Sequence, residues 1–148
     1  IFCAGAGLRS SDIAQIFADD VTVDAEGVVI TVRGTNPREV PLLRNWEEWM
    51  VPALEASPTE FPLWGKPNRT NGSNLLSSFT AHTVGTFPRS DRLRATWIVT
   101  HLQTGTRMKE LLRAAGFDKF ENLPRYLEFV NTVDRASFRA ALRGEDSE

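Results

Sequence analysis

The 148 residues are 41% hydrophobic, enough for one compact domain with a real core, and no apolar run approaches the ~20 residues that span a bilayer. A net charge of −2 at first argues against a nucleic-acid partner, and the single Cys3 excludes an internal disulfide and fits a reducing interior as a small buried residue. The chain begins at Ile1 inside an apolar segment, so it reads as a fragment, and nothing in it resembles a cleavable signal sequence.

Ser10 or Ser11 is placed to cap a helix whose first turn carries Asp12, with Ile13, Ile16 and Phe17 as its apolar stripe. Arg9 lies just before that start, where backbone amides favour an anion. Residues 21–34, VTVDAEGVVITVRG, predict two strands around Ala25-Glu26-Gly27, and Asn36-Pro37 turns the chain into a third, REVPL at 38–42. Trp46, Trp49, Met50 and Ala53 recur at helical spacing between Asn45 and Ala56, where Pro52 is expected to kink or shorten the helix. Residues 57–73 read as a loop. Its Asn68-Arg69-Thr70 triplet matches a glycosylation acceptor that a cytosolic protein does not use.

Leu75, Leu76, Phe79 and Val84 suggest a short helix ended by Gly85 and Pro88. Ser90 or Asp91 then caps a helix carrying Arg94 and closed by Gly105. Positions 91, 94, 97, 98 and 101 share one face of it, which groups Asp91 and Arg94 with Trp97, Ile98 and His101. Another helix runs from Arg107 to Ala115 with Gly116 as its stop, and Leu123, Tyr126, Leu127 and Val130 form a further helical stripe. Ser137 to Arg143 is the last expected helix, before a frayed acidic tail at 144–148. The fold expected is α+β: one domain over 1–148, mainly helices around a small three-stranded antiparallel sheet.

Charge is unevenly spread. Residues 1–65 hold four basic and ten acidic side chains, whereas 66–113 hold eight basic and two acidic ones. The basic stretch comprises Lys66, Arg69, Arg89, Arg92, Arg94, Arg107, Lys109 and Arg113, and a phosphate backbone needs such groups on one face, not a basic total. Taken alone, the stretch reads as a solvated surface. Arg9, Arg94 and the chain's only tyrosine, Tyr126, change that balance. Two guanidiniums can grip the oxygens of a phosphodiester, and a phenol can attack the phosphorus to hold the broken strand as an ester.

These residues sit in GLRSSDI (7–13), LRATWIVTHLQTG (93–105) and LPRYLEFV (123–130), with REVPL, FPLWG (61–65) and LLRAAGF (111–117) between them. In that order the chain resembles the catalytic domain of the tyrosine recombinase (phage integrase) family over nearly its whole length. The resemblance implies that Arg9 and Arg94 clamp a scissile phosphate and that Tyr126 forms a 3′-phosphotyrosyl link. A 5′-hydroxyl then rejoins the strand without a metal or cofactor. It also implies duplex DNA as partner, self-association on DNA, and a cytoplasmic protein of bacterial or phage origin. The family's N-terminal DNA-clasping domain and first helix are expected to be missing. Arg33 and Arg38 in the hairpin, Arg92, and Arg125 beside the tyrosine are the further DNA-contact candidates.

Three positions depart from the family pattern. Asp91 stands where a histidine is usual, Phe117 where a histidine or tryptophan is usual, and the hairpin has no lysine. A carboxylate at 91 repels phosphate and competes for Arg94, Phe117 donates no hydrogen bond, and arginine cannot replace lysine as an acid. Lys66 is a speculative stand-in, and His82 and His101 read as structural. Two rivals follow: a catalytically impaired DNA-binding module of the same fold, and a protein-interaction domain that has lost DNA.

Overall fold

The computed structural model describes residues 1–57, 59–63 and 81–144. The expected helix around Leu75–Phe79, the stand-in Lys66, Arg69 with its glycosylation triplet, and tail residues 145–148 lie outside them. Among the described residues are seven α-helices: α1 (Phe2–Ala6), α2 (Ser10–Ile13), α3 (Glu47–Glu55), α4 (Ser90–Gln103), α5 (Met108–Ala115), α6 (Pro124–Leu127) and α7 (Arg135–Arg143). With them is one antiparallel sheet, β1 (Val21–Asp24), β2 (Gly27–Val32) and β3 (Arg38–Pro41), in the order β1-β2-β3. No described helix is long and apolar enough to cross a membrane. The α+β architecture is the one the sequence pattern implied.

The hairpin forms because Asp24 Oδ1 accepts from the backbone N–H groups of Glu26 and Gly27, at 2.8 and 3.2 Å, which holds the turn. Val21 then faces Ile30, and Val32 faces Arg38 on the other side. Along β2, Val28, Ile30 and Val32 point inward and are buried, and the same alternation on β3 buries Arg38 and Val40. Glu47 at the start of α3 accepts from the Val28 N–H at 3.2 Å and ties that helix to the hairpin. Pro52 lies inside α3, which nevertheless runs on to Glu55.

The core gathers Leu8, Ile13, Ile16, the inward residues of β2 and β3, Met50, and the Trp97–Ile98 face of α4. α1 packs against α4, and Gly7 ends it in a left-handed conformation at φ 59°. That glycine is a packing requirement as well as a turn: a Cβ there would overlap the Trp97 ring. α5 buries Leu111 and Ala115 and ends at Gly116, φ 63°, as its sequence signal implied. α7 stands differently. Asp134 caps it, accepting from the Ala136 and Ser137 N–H groups, yet it buries no residue, and Phe138 and Leu142 stay exposed.

Candidate active site

Arg94 issues from the first turns of α4 into the interior and is only 7% exposed. Its Nη1 donates to the Gly7 carbonyl and its Nη2 to the Ala115 carbonyl, so it joins the end of α1 to the end of α5. Arg9, at the surface before α2, reaches the same turn: its Nη2 donates to the Gly116 carbonyl at 2.7 Å. Arg38 comes from β3, giving Nε to the Ala114 carbonyl at 2.9 Å and Nη1 to the Asn36 carbonyl at 3.0 Å. The last carbonyls of α5 thus collect three guanidiniums far apart in sequence. One physical cause is the negative end of the helix, whose last C=O groups have no intrahelical partner.

Capping does not exhaust these side chains. A guanidinium has five N–H donors, and Arg94 places two on carbonyls, the others having no partner among the described residues. Among the described residues one carboxylate faces the three cations: Asp12, which accepts from Arg38 Nη2 at 2.8 Å and from the Arg9 backbone N–H at 3.0 Å. Burial first, and then the positive charge of Arg9, pull the Arg94 guanidinium down to about 10. Tyr126 and Asp12 oppose that fall, and Arg38 adds to it. The cluster is a cation pocket short of negative charge.

Tyr126 lies at its edge. It is 7% exposed, and its ring stacks on Phe117 with centroids 6.4 Å apart and planes at 28°. The Arg94 guanidinium carbon is 5.1 Å from the same Phe117 centroid. Phe117 therefore touches both the tyrosine and the buried arginine, an apolar spacer with no hydrogen to donate. Arg125 folds over the Tyr126 ring and donates from Nη2 to its hydroxyl at 2.7 Å.

The other candidates are placed apart. Asp91 shares the expected helix face but has a side chain 64% exposed, and it pairs with Arg89, not Arg94, through two contacts of 3.1 Å. Slight burial pushes its carboxyl up. The hydrogen bonds and charge of Arg89, with backbone N–H groups, outweigh this and hold it below the usual carboxylate range. The expected competition for Arg94 does not occur, because Arg94 is buried on the Gly7 and Ala115 carbonyls while Asp91 is held at the surface by Arg89. Arg38, expected at the DNA surface, is instead buried against Asp12 and the α5 carbonyls, since strand alternation turns it inward. Arg33 is exposed and paired with the buried Asp20, and Arg92 is exposed on α4. Sequence reasoning missed Asn36, whose side-chain amide donates to the Gly116 carbonyl at 3.1 Å, and treated Asp12 only as a helix-start charge. Only the place of Asp12 within GLRSSDI and the nearness of Asn36 to REVPL marked them. Among the described residues, no group of three or more His, Cys, Asp or Glu side chains converges to hold a metal ion.

Cys3 lies behind the cluster. Burial pushes its thiol up to about 11, against the lowering pull of the N-terminal amine and Arg94. At pH 7.5 it is a thiol, not a nucleophilic thiolate. Alkylation of the native protein by iodoacetamide is expected to be at least tenfold slower than alkylation in urea, read by intact mass. Equal rates would show that the α1–α4 packing is open in solution.

Solved structures carry the same architecture. The crystal structure of XerA recombinase matches with a TM-score of 0.66 at 14% identity, covering 99% of this chain and 55% of that one. The chain has the tyrosine recombinase catalytic-domain fold. The Tn1549 transposon integrase in complex with circular intermediate DNA matches at TM-score 0.55 and 17% identity, over 95% of this chain and 55% of that one. The same integrase in complex with transposon right end DNA matches at 0.54 and 17%, over 97% and 56%. The recombinase-fold chain thus spans a little over half the length of the structures it resembles. No family model matches it, and no curated protein does.

Proposed function

We propose that this domain breaks and rejoins duplex DNA by the recombinase route, with Arg9 and Arg94 on the phosphodiester and Tyr126 as nucleophile. The observation that carries this reading is the convergence of Arg9, Arg38 and Arg94 at one turn, beside the only tyrosine, with Asp12 as the one facing carboxylate. A phosphodiester supplies the missing negative charge and accepts the unspent N–H donors of Arg94. In the step proposed, the Tyr126 oxygen bonds to phosphorus as the bond to the 5′ oxygen breaks. The phenol loses its proton and the 5′ oxygen gains one. Attack by a 5′-hydroxyl reverses the step and restores the phenol, so the bond energy is conserved. Arg9 serves as the mobile member of the clamp, Arg94 as the fixed one, and Arg38 holds the turn on which both rest. Exposed Arg92 and Arg33 are proposed as backbone contacts, with Arg125 shared between the phenol and DNA.

Phe117 has no proton to give, Asp91 is engaged with Arg89, and residues 21–41 contain no lysine, so none of these three family positions carries the protons of the step. Each missing acid or base slows turnover by roughly 10²–10⁴. Strand exchange is further proposed to use assemblies, in which the bare face of α7, with Phe138 and Leu142, seats on a neighbouring copy.

A second reading, DNA binding without cutting, draws on the burial of Tyr126 and on Phe117, whose side chain has no donor for a phosphate. One experiment separates them. A pool of nicked duplexes of random sequence, whose short 5′-hydroxyl fragment between cleavage point and nick escapes, is incubated with wild type and with Tyr126→Phe and run on a denaturing gel. A slowly formed covalent adduct with wild type alone supports strand transfer. Salt-sensitive binding by both proteins with no adduct supports the binding module. If neither protein is retained by DNA at low salt, both readings fall.

A further inference from the structure

Asn36, between β2 and β3, has no part in the strand-transfer step, yet it shares an acceptor with one of the arginines. The Gly116 carbonyl accepts from Arg9 Nη2 at 2.7 Å and from Asn36 Nδ2 at 3.1 Å. Gly116 is buried where it ends α5, while Arg9 is exposed and Asn36 half-buried. A carbonyl oxygen has two lone pairs, and these two donors fill them. The amide must turn its NH₂ to Gly116, because its own oxygen would there face another acceptor. Asn36 is itself held in place. Its backbone carbonyl accepts from Arg38 Nη1 at 3.0 Å, and Pro37 after it restricts its backbone.

The two donors differ in what else they can do. The Arg9 guanidinium stands at the surface and has no carboxylate partner among the described residues. A guanidinium grips phosphate through two adjacent N–H groups, and Nη2 belongs to both of its forks. A forked grip therefore draws on the nitrogen that now holds Gly116. A buried carbonyl left bare opposes that move. The Asn36 amide removes the opposition, since it stays on the oxygen when Arg9 turns outward.

We infer that Asn36 is a positioning residue that frees Arg9 for DNA by keeping the Gly116 carbonyl satisfied. This role rests on the proposed placing of Arg9 on a phosphodiester. It makes the hairpin the element that sets how readily the mobile arginine is released. Arg94, which keeps both of its carbonyls while facing the phosphate, needs no such substitute.

The test is a double-mutant cycle of Asn36→Leu and Arg9→Ala, with duplex affinity read by fluorescence anisotropy across a salt series. Circular dichroism first shows each variant to be folded, and Asn36→Ala takes the place of a leucine variant that does not fold. Loss of the amide is expected to weaken binding roughly five- to tenfold, and no more than Arg9→Ala does, because the otherwise bare carbonyl holds Arg9 back. The slope of log K against log salt should become shallower by about 0.9, the share of one phosphate contact, which a loss of stability alone would not change. In the Arg9→Ala background the same substitution should alter neither quantity. Unchanged affinity and slope, or an equal fall without Arg9, overturns the role of Asn36; a loss in Arg9→Ala then still upholds the phosphate clamp. If Arg9→Ala binds as tightly as wild type, the placing of Arg9 on phosphate falls and the role of Asn36 falls with it.

Discussion

Gly7→Ala is expected to lower the thermal midpoint by roughly 5–15 °C, more than any exposed substitution in this chain. The left-handed backbone at φ 59° alone costs a side chain about 1–2 kcal/mol. The new Cβ would also overlap Trp97, which is 1% exposed and backed by the packed core, and overpacking of this kind adds about 1–3 kcal/mol. The control is Gly105→Ala. Its φ of 75° carries the same backbone strain, but no atom lies within 4 Å of the added carbon. Melting curves of the two variants therefore isolate the Trp97 contact. Equal losses would mean that α1 and α4 are not apposed as described. A consequence for the site follows, since a displaced Gly7 carbonyl no longer anchors Arg94.

Arg94→Lys is the second large effect expected. Lysine keeps a charge but presents a point instead of a fork, so it cannot hold the Gly7 and Ala115 carbonyls together while facing a phosphate. One buried carbonyl left bare costs about 1–3 kcal/mol of stability. Loss of a fixed phosphate contact should weaken duplex binding about tenfold or more, measured at fixed ionic strength by fluorescence anisotropy. Unchanged affinity would reduce the arginine to a helix clamp.

The pH dependence has a definite sign. Burial, then the neighbouring Arg9 charge, lowers the folded-state value of Arg94 to about 10, well below that of an ordinary arginine. The folded protein thus holds that proton less tightly than the unfolded chain does. Charged Arg94 costs stability at neutral pH, and the cost disappears as pH rises through about 10 toward the ordinary arginine value. The stability of wild type relative to Arg94→Met should accordingly improve between about pH 9 and 11 in urea titrations. A difference flat across that window would show that the guanidinium is more solvated than its 7% exposure implies.

The local elements were legible because their signals are local. Gly116 after an amphipathic run gives the left-handed stop of α5, and Asp24-Ala25-Glu26-Gly27 gives a turn whose register then fixes which residues of β2 face inward. Side-chain destinations were harder. Helical spacing groups Asp91 with Arg94, yet Arg94 turns into the core while Asp91 stays at the surface and goes to Arg89. Arg38 resembled a surface hairpin arginine. The alternation with Val40 that turns it inward was readable only with knowledge of which strand face is covered.

What the residues determined by themselves is the order of elements, their stops and turns, and the presence of two widely spaced arginines and one tyrosine. Those depend on interactions within a few residues, which sequence spacing encodes directly. Tertiary structure alone decided that Arg9, Arg38 and Arg94 meet at the carbonyls of one helix end, that Phe117 stands against both Arg94 and Tyr126, and that Asp91 is excluded. The reason is burial. A guanidinium goes where desolvated carbonyls and a single carboxylate can satisfy it, and those partners come together only when distant segments pack.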